Sequence, residues 1–141
     1  DVSNIETLEN ALYLNTGSPH YVTLTSDILN KNIKVDGAAI RYNDRFKKEG
    51  TNVNFVEPIT ANLYRVRTYE RGVEDETLSC GTGVTAVAIA MHASSKTDKN
   101  SVDLKVQGGS LNVAFSAKNG TYTNVWLTGP AEQVFKGEVS W

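Results

Sequence analysis

Cys80-Gly81-Thr82-Gly83-Val84-Thr85-Ala86-Val87-Ala88-Ile89-Ala90-Met91-His92-Ala93 holds the clearest helical signal in the chain. From Val84 to Ala93, apolar residues cover every side of a 3.6-residue wheel. A helix that is apolar all round is buried on all sides, in protein or in membrane. No apolar run approaches the ~20 residues that span a bilayer, so the covering surface is protein. The alanines let neighbouring backbones come close.

Outward from this helix the chain reads mostly as strand and turn. On the amino-terminal side lie short strands at Ala11–Leu14 and Tyr21–Leu24, separated by Gly17-Ser18-Pro19, and a helix-like run from Val35 to Tyr42. Val53, Phe55 and Ile59 mark another strand, which runs into Pro58. Leu63–Tyr69 alternates, with Tyr64, Val66 and Thr68 on one face. A polar loop is expected from Glu70 to Ser79. Beyond the helix, strands are expected at Val102–Val106, Leu111–Phe115, Tyr122–Leu127 and Gln133–Val139, with turns at Gly108-Gly109, Asn119-Gly120 and Gly129-Pro130. Many strands and one fully apolar helix imply an α+β fold, a mixed and mostly antiparallel sheet curled around the helix. There is no repeat or linker, so residues 1–141 read as a single domain.

Composition narrows the function. A formal net charge of -2 argues against nucleic acid or an anionic membrane as the main partner. Asp1–Asn10 is polar and acidic and does not resemble a signal peptide. With one cysteine an internal disulfide is impossible, and a reduced, cytoplasmic setting is the simplest expectation. Cys80 with His20 and His92 makes no structural zinc set, so no metal is expected. His92 suits the last turn of the helix, where a cation complements the dipole. The glycosylation-like Asn119-Gly120-Thr121 reads as a turn.

The chemistry concentrates before the helix, in Tyr69-Glu70-Arg71-Gly72-Val73-Glu74-Asp75-Glu76-Thr77-Leu78-Ser79-Cys80-Gly81-Thr82-Gly83. The first N–H groups of a helix lack internal partners and favour negative charge. At Cys80 they favour a thiolate, and at Gly81, Thr82 and Gly83 they can dock a carboxylate, with glycine letting a ligand approach the backbone. A base beside a carboxylate cradle suits removal of the α-proton of an amino acid. Glu70 and Arg71 suit an ammonium and a carboxylate. Each has a plainer reading: Cys80 as a small packed hydrophobe, the glycines as a tight turn, Glu70 and Arg71 as a solvated pair, Glu74-Asp75-Glu76 as solvated loop, His20 as a surface turn residue. There is no Gly-x-Gly-x-x-Gly or P-loop.

Tyr69-Glu70-Arg71-Gly72 followed by Cys80-Gly81-Thr82-Gly83 resembles the second active-site motif of diaminopimelate epimerases. Asn15-Thr16-Gly17-Ser18-Pro19-His20, Thr51-Asn52-Val53-Asn54-Phe55, Gly108-Gly109-Ser110-Leu111 and Leu127-Thr128-Gly129-Pro130-Ala131 resemble further family segments in the same order. The resemblance implies the carboxy-terminal half of a two-domain enzyme whose amino-terminal half is absent. It implies interconversion of LL- and meso-diaminopimelate, on the path to lysine and peptidoglycan, without pyridoxal phosphate, metal or other cofactor. Two cysteines act from opposite faces of the α-carbon, and this chain holds one, so it is expected to be inactive alone. Cys80 would be an acid/base, with Gly81 and Thr82 on the α-carboxylate, Glu70 at the reacting amino end and His20 setting thiol protonation. Asn52, Arg71 and the Ser18 position would face the distal end of the substrate. Ser18 departs from the family's usual asparagine, and the Arg71–Cys80 loop is one residue longer than the commonest form. A homodimer is compatible with this reading. A proline- or hydroxyproline-type racemase half is the alternative within the same fold, and a non-catalytic binding domain the alternative outside enzymes.

Overall fold

The computed structural model describes residues 1–141. Nine strands form one mixed sheet: β1 (Glu6–Thr7), β2 (Leu12–Asn15), β3 (Pro19–Leu24), β4 (Asn52–Thr60), β5 (Leu63–Glu70), β6 (Asp75–Thr77), β7 (Ser101–Val106), β8 (Gly109–Lys118) and β9 (Thr121–Thr128). Strands β1 to β5 neighbour one another in chain order, followed by β7, β8 and β9, while β6 pairs with β5. Only β3–β4 and β5–β7 are parallel, and these two crossovers carry the helices α1 (Ile33–Arg41) and α2 (Gly81–Ala93). The sheet curls until Val2 bridges Tyr122 on β9, with N–H to carbonyl distances of 2.9 and 2.8 Å in the two directions.

Helix α2 fills the curl. Gly83, Val84 and the run from Ala86 to Met91 are buried, in a core of 19 residues that draws on β2, β3, β4, β5, β7, β8 and β9. The all-round apolar wheel is thus matched by sheet on nearly every side. Helix α1 packs on the opposite face through Ile33, in a smaller cluster with Ile28, Val53, Phe55 and Tyr69. Between the two helices, the residues from Asn52 to Val56 on β4 are buried in succession. Val53 and Phe55 belong to the α1 cluster and Val56 to the α2 core, so Asn52 and Asn54 share the α2 side. Asn119 (φ 51°) and Gly120 (φ 74°) make the left-handed pair that a two-residue hairpin turn requires.

Three expectations are corrected. Gln133–Val139 is no strand. Residues from Gly129 onward have no regular structure, and the adjacent Val134 and Phe135 are 85% and 84% exposed. Neighbouring apolar residues would face opposite sides of a strand, and here neither side meets a sheet edge or a core. Glu70–Ser79 is no plain loop, because Asp75–Thr77 folds back as β6 on Thr68–Glu70. His92 does not serve as a cap. Its Nδ1 meets the Tyr122 hydroxyl at 2.8 Å, and its ring packs edge-on against Phe115 and Tyr122.

Candidate active site

Three neighbouring strands and one helix end meet at the open mouth of the curl. In the parallel β3–β4 register His20 sits opposite Asn52 and Val22 opposite Asn54, while β5 sets Thr68 against Asn54. His20, Asn52, Asn54 and Thr68 therefore point towards the first turn of α2.

Cys80 is the residue immediately before α2, in extended backbone, with no side-chain capping bond. It is 9% exposed, at the rim of the core rather than sealed within it. Its carbonyl accepts the first helical bond from the Val84 N–H at 2.9 Å. The N–H groups of Gly81, Thr82 and Gly83 have no acceptor within the protein, so three helix-end donors lie beside the sulfur. Gly83 is glycine for a steric reason: a Cβ there would lie 2.6 Å from Asn54 Oδ1 and 3.2 Å from Cys80 Sγ.

His20 is fully buried. Its Nε2 lies 2.9 Å from Thr82 Oγ1 and 3.0 Å from Ser18 Oγ, and its Nδ1 lies 3.1 Å from Asn54 Nδ2. Thr82 Oγ1 in turn lies 3.6 Å from Cys80 Sγ. Burial, and then the positive charge of Arg71, hold the imidazole at a pKa of about 4, so it is neutral near pH 7. Asn52 donates to Ser18 Oγ at 3.1 Å and to the Pro19 carbonyl at 3.0 Å, and accepts from the Arg71 N–H at 2.8 Å. The expected residues Ser18, His20, Asn52, Arg71, Cys80, Gly81 and Thr82 thus converge. Arg71 extends its guanidinium to the Glu49 carbonyl at 2.9 Å. Glu70 stands apart: it accepts from Thr77 Oγ1 at 2.9 Å across the β5–β6 hairpin and makes no hydrogen bond to Cys80, Thr82 or His20.

The acidic run is not solvated loop. Glu74 accepts from the hydroxyls of Tyr69 at 2.9 Å and Tyr42 at 3.1 Å and pairs with Arg41. Asp75 pairs with Lys34, and Glu76 takes both arms of Arg67 at 2.6 Å each. These acids fasten the hairpin that carries Glu70 and Arg71 onto α1 and the preceding turn. Sequence reasoning also gave no role to Asn54, Thr68 and Thr16. Thr68 donates to Asn54 Oδ1 at 3.0 Å, and Thr16 to the Thr82 carbonyl at 2.7 Å. The signal was the period of two, since Asn52 and Asn54 share a face with Val56. A cavity of about 620 Å³ lies alongside, lined in part by Thr16, Gly17, Thr85 and Leu127 but not by Cys80.

Comparison with known proteins follows the same outline. A family model described as diaminopimelate epimerase matches residues 12–134. The chain belongs to the diaminopimelate epimerase family. The diaminopimelate epimerase of Flavobacterium psychrophilum is 49% identical over 136 residues, covering 96% of this chain and 53% of that protein. The Aquifex aeolicus enzyme of the same name is 42% identical, over 92% of this chain and 46% of its own. The chain spans about half the length of the curated family members it matches. Among solved structures, one described as a probable proline racemase from Agrobacterium radiobacter aligns with a TM-score of 0.58 at 13% identity, covering 90% of this chain and 40% of that one. A phenazine biosynthesis protein of the PhzF family from Bacillus anthracis aligns with a TM-score of 0.55 at 20% identity, over 86% of this chain and 37% of its own. At these identities the likeness extends to the fold, a curled mixed sheet with two helices, as expected from the sequence. No helix is long and apolar enough to cross a membrane.

Proposed function

We propose that residues 1–141 form the carboxy-terminal half of a diaminopimelate epimerase and supply one face of its active site. The observation that carries this reading is the placement of Cys80 Sγ beside three unpartnered helix amides. The amides of Gly81, Thr82 and Gly83 hold the α-carboxylate, which brings the α-carbon within reach of the sulfur. As thiolate, Cys80 takes the α-proton and becomes thiol. The electron pair left on carbon is stabilised by the carboxylate in its amide cradle, and a thiol from the other half returns a proton on the opposite face. In the reverse direction the two sulfurs exchange roles. His20, neutral and bonded to Thr82, sets the protonation of the Cys80 side. Glu70 contacts the reacting amino end, and Asn52, Arg71 and Ser18 face the distal amino-acid group.

The test is epimerisation of LL-diaminopimelate in heavy water, which scores both inversion and α-proton exchange. The 141 residues alone should give no inversion, and the matching amino-terminal half supplied in trans should restore it. Robust inversion by the chain alone would overturn the two-half reading. Inversion of proline rather than diaminopimelate by the reconstituted pair would overturn the substrate.

A further inference from the structure

Backbone groups that cannot turn over fix the direction of the asparagine hydrogen bonds in the site, and through them the histidine. Asn52 must point Oδ1 at the Arg71 N–H and Nδ2 at the Pro19 carbonyl, since an amide hydrogen cannot donate to a donor. Asn54 must point Nδ2 at the Tyr21 carbonyl, 3.1 Å away, while its Oδ1 receives the Thr68 hydroxyl. The second hydrogen of Asn54 Nδ2 then faces His20 Nδ1, 3.1 Å away, which must be a lone pair. The ring hydrogen of the neutral imidazole is left on Nε2, facing Thr82 and Ser18. Ser18 Oγ already accepts from Asn52 and has its own hydrogen for Thr82 Oγ1 at 3.3 Å. Thr82 Oγ1 accepts from His20 Nε2, and with Ser18 donating to it as well, the acceptor left for its own hydrogen is Cys80 Sγ at 3.6 Å.

We propose that Asn54 is a positioning residue that fixes the His20 tautomer and, with Asn52, drives a one-way chain of donors ending on Cys80, so that the unliganded site presents its sulfur as a hydrogen-bond acceptor. A substrate carboxylate arriving on the adjacent amides then meets a sulfur whose lone pair is already oriented by Thr82. This deepens the acid/base reading of Cys80 and rests on it for its catalytic meaning, whereas the chain of donors is measurable without substrate.

Long-range proton–nitrogen correlation spectra of the full chain with labelled histidine, at pH 7, should show His20 with a bare Nδ1 and a protonated Nε2. A hydrogen on Nδ1 would overturn the proposal, and this measurement needs no variant. Asn54→Asp places only acceptors at Nδ1 and should draw a hydrogen there, in a neutral or a charged ring. An unchanged tautomer in the folded variant would remove Asn54 from its role. The last link is read by alkylation of Cys80 with iodoacetamide at pH 7, which follows the thiolate. Thr82→Val should slow it about tenfold, with Nε2 still satisfied by Ser18, and Thr82→Ser should restore it. Equal rates in wild type and Thr82→Val would break the chain at that point. None of these readouts involves epimerisation, so failure to reconstitute inversion would count against the functional reading and leave this one standing.

Discussion

The two helices lie on opposite faces of one sheet and end in opposite ways. The amino terminus of α1 is closed: Asn32 Oδ1 accepts from the Val35 N–H at 3.2 Å, and Asp36 sits in the first turn. The amino terminus of α2 has no such cap and no acid, only Cys80. A capping side chain ordinarily adds about 1 kcal/mol, so α2 forgoes stability that α1 keeps. The face around α1 is held by ion pairs of Lys34, Arg41 and Arg67 with Asp75, Glu74 and Glu76, while at the amino-terminal mouth of α2 the uncharged side chains of Ser18, His20, Asn52, Asn54 and Thr82 join one another. One face is fastened by paired charges, and the other keeps helix-end donors without a protein acceptor.

The sharpest way to break this contrast is to close the open helix end. Cys80→Ser puts a strong capping residue where α2 has none. In the reconstituted enzyme turnover should fall by about a thousandfold or more, and by a larger factor than KM rises, because the base is lost whereas the new hydroxyl competes for only one of the three amides. Thermal unfolding of the same variant should show unchanged or higher stability, by up to about 1 kcal/mol. Lower stability with retained turnover would show Cys80 to be packing.

Next in size is Gly83→Ala. The new methyl group would press on Asn54 Oδ1 and Cys80 Sγ, and Asn54 has no free space to yield because it holds Tyr21, Thr68 and His20. Calorimetry should register a loss near the top of the usual range for overpacking, about 3 kcal/mol. The alkylation rate of Cys80 should change as well. A neutral result on both counts would mean that the polar cluster is looser than its geometry.

The neutral, buried His20 makes a prediction about pH. Its pKa is near 4 in the folded chain and near 6.5 when exposed. Between these values the unfolded chain binds the extra proton, so stability is full above about pH 6.5 and falls as pH drops towards 4. From pH 7.5 to pH 5 the loss from this one group should be about 2 kcal/mol. Denaturant unfolding of wild type and His20→Gln should show it as a difference in slope over that window. Parallel pH curves would refute the burial of a neutral ring.

These features were unequally legible in the sequence. Helix α2 could be placed because its apolar residues leave no polar side, a local pattern with one physical outcome. Cys80, Thr82 and His20 could be nominated because of their residue types, but their meeting depends on β3 lying parallel to β4, which no local pattern reports. Asn54 was passed over as a site residue: the period of two put it on a face with Asn52 and Val56, but two asparagines on one face look solvated until β4 is seen sandwiched between two helices. Strand β6 was missed because Asp75-Glu76-Thr77 has no apolar alternation and is held by charge pairs, to Arg67 across the hairpin and to Lys34 far away in sequence. The Gln133–Val139 expectation failed for the reverse reason: it had apolar residues but no edge to join.

The smallest effect tests the fastened face. Asn32→Ala removes the cap of α1 and should cost about 1 kcal/mol in denaturant unfolding. Helix α1 covers Val53 and Phe55, which lie on β4 between Asn52, Asn54 and Val56, so loosening it could in principle reach the site. The hydrogen bonds of Asn52 and Asn54, however, run to Pro19, Tyr21, Thr68 and Arg71, none of them in α1. A frayed first turn should therefore leave the His20 tautomer and the alkylation rate of Cys80 at their wild-type values. If Asn32→Ala shifts either, the two faces of the sheet are coupled through β4, and the division between fastening and chemistry fails at the strand they share.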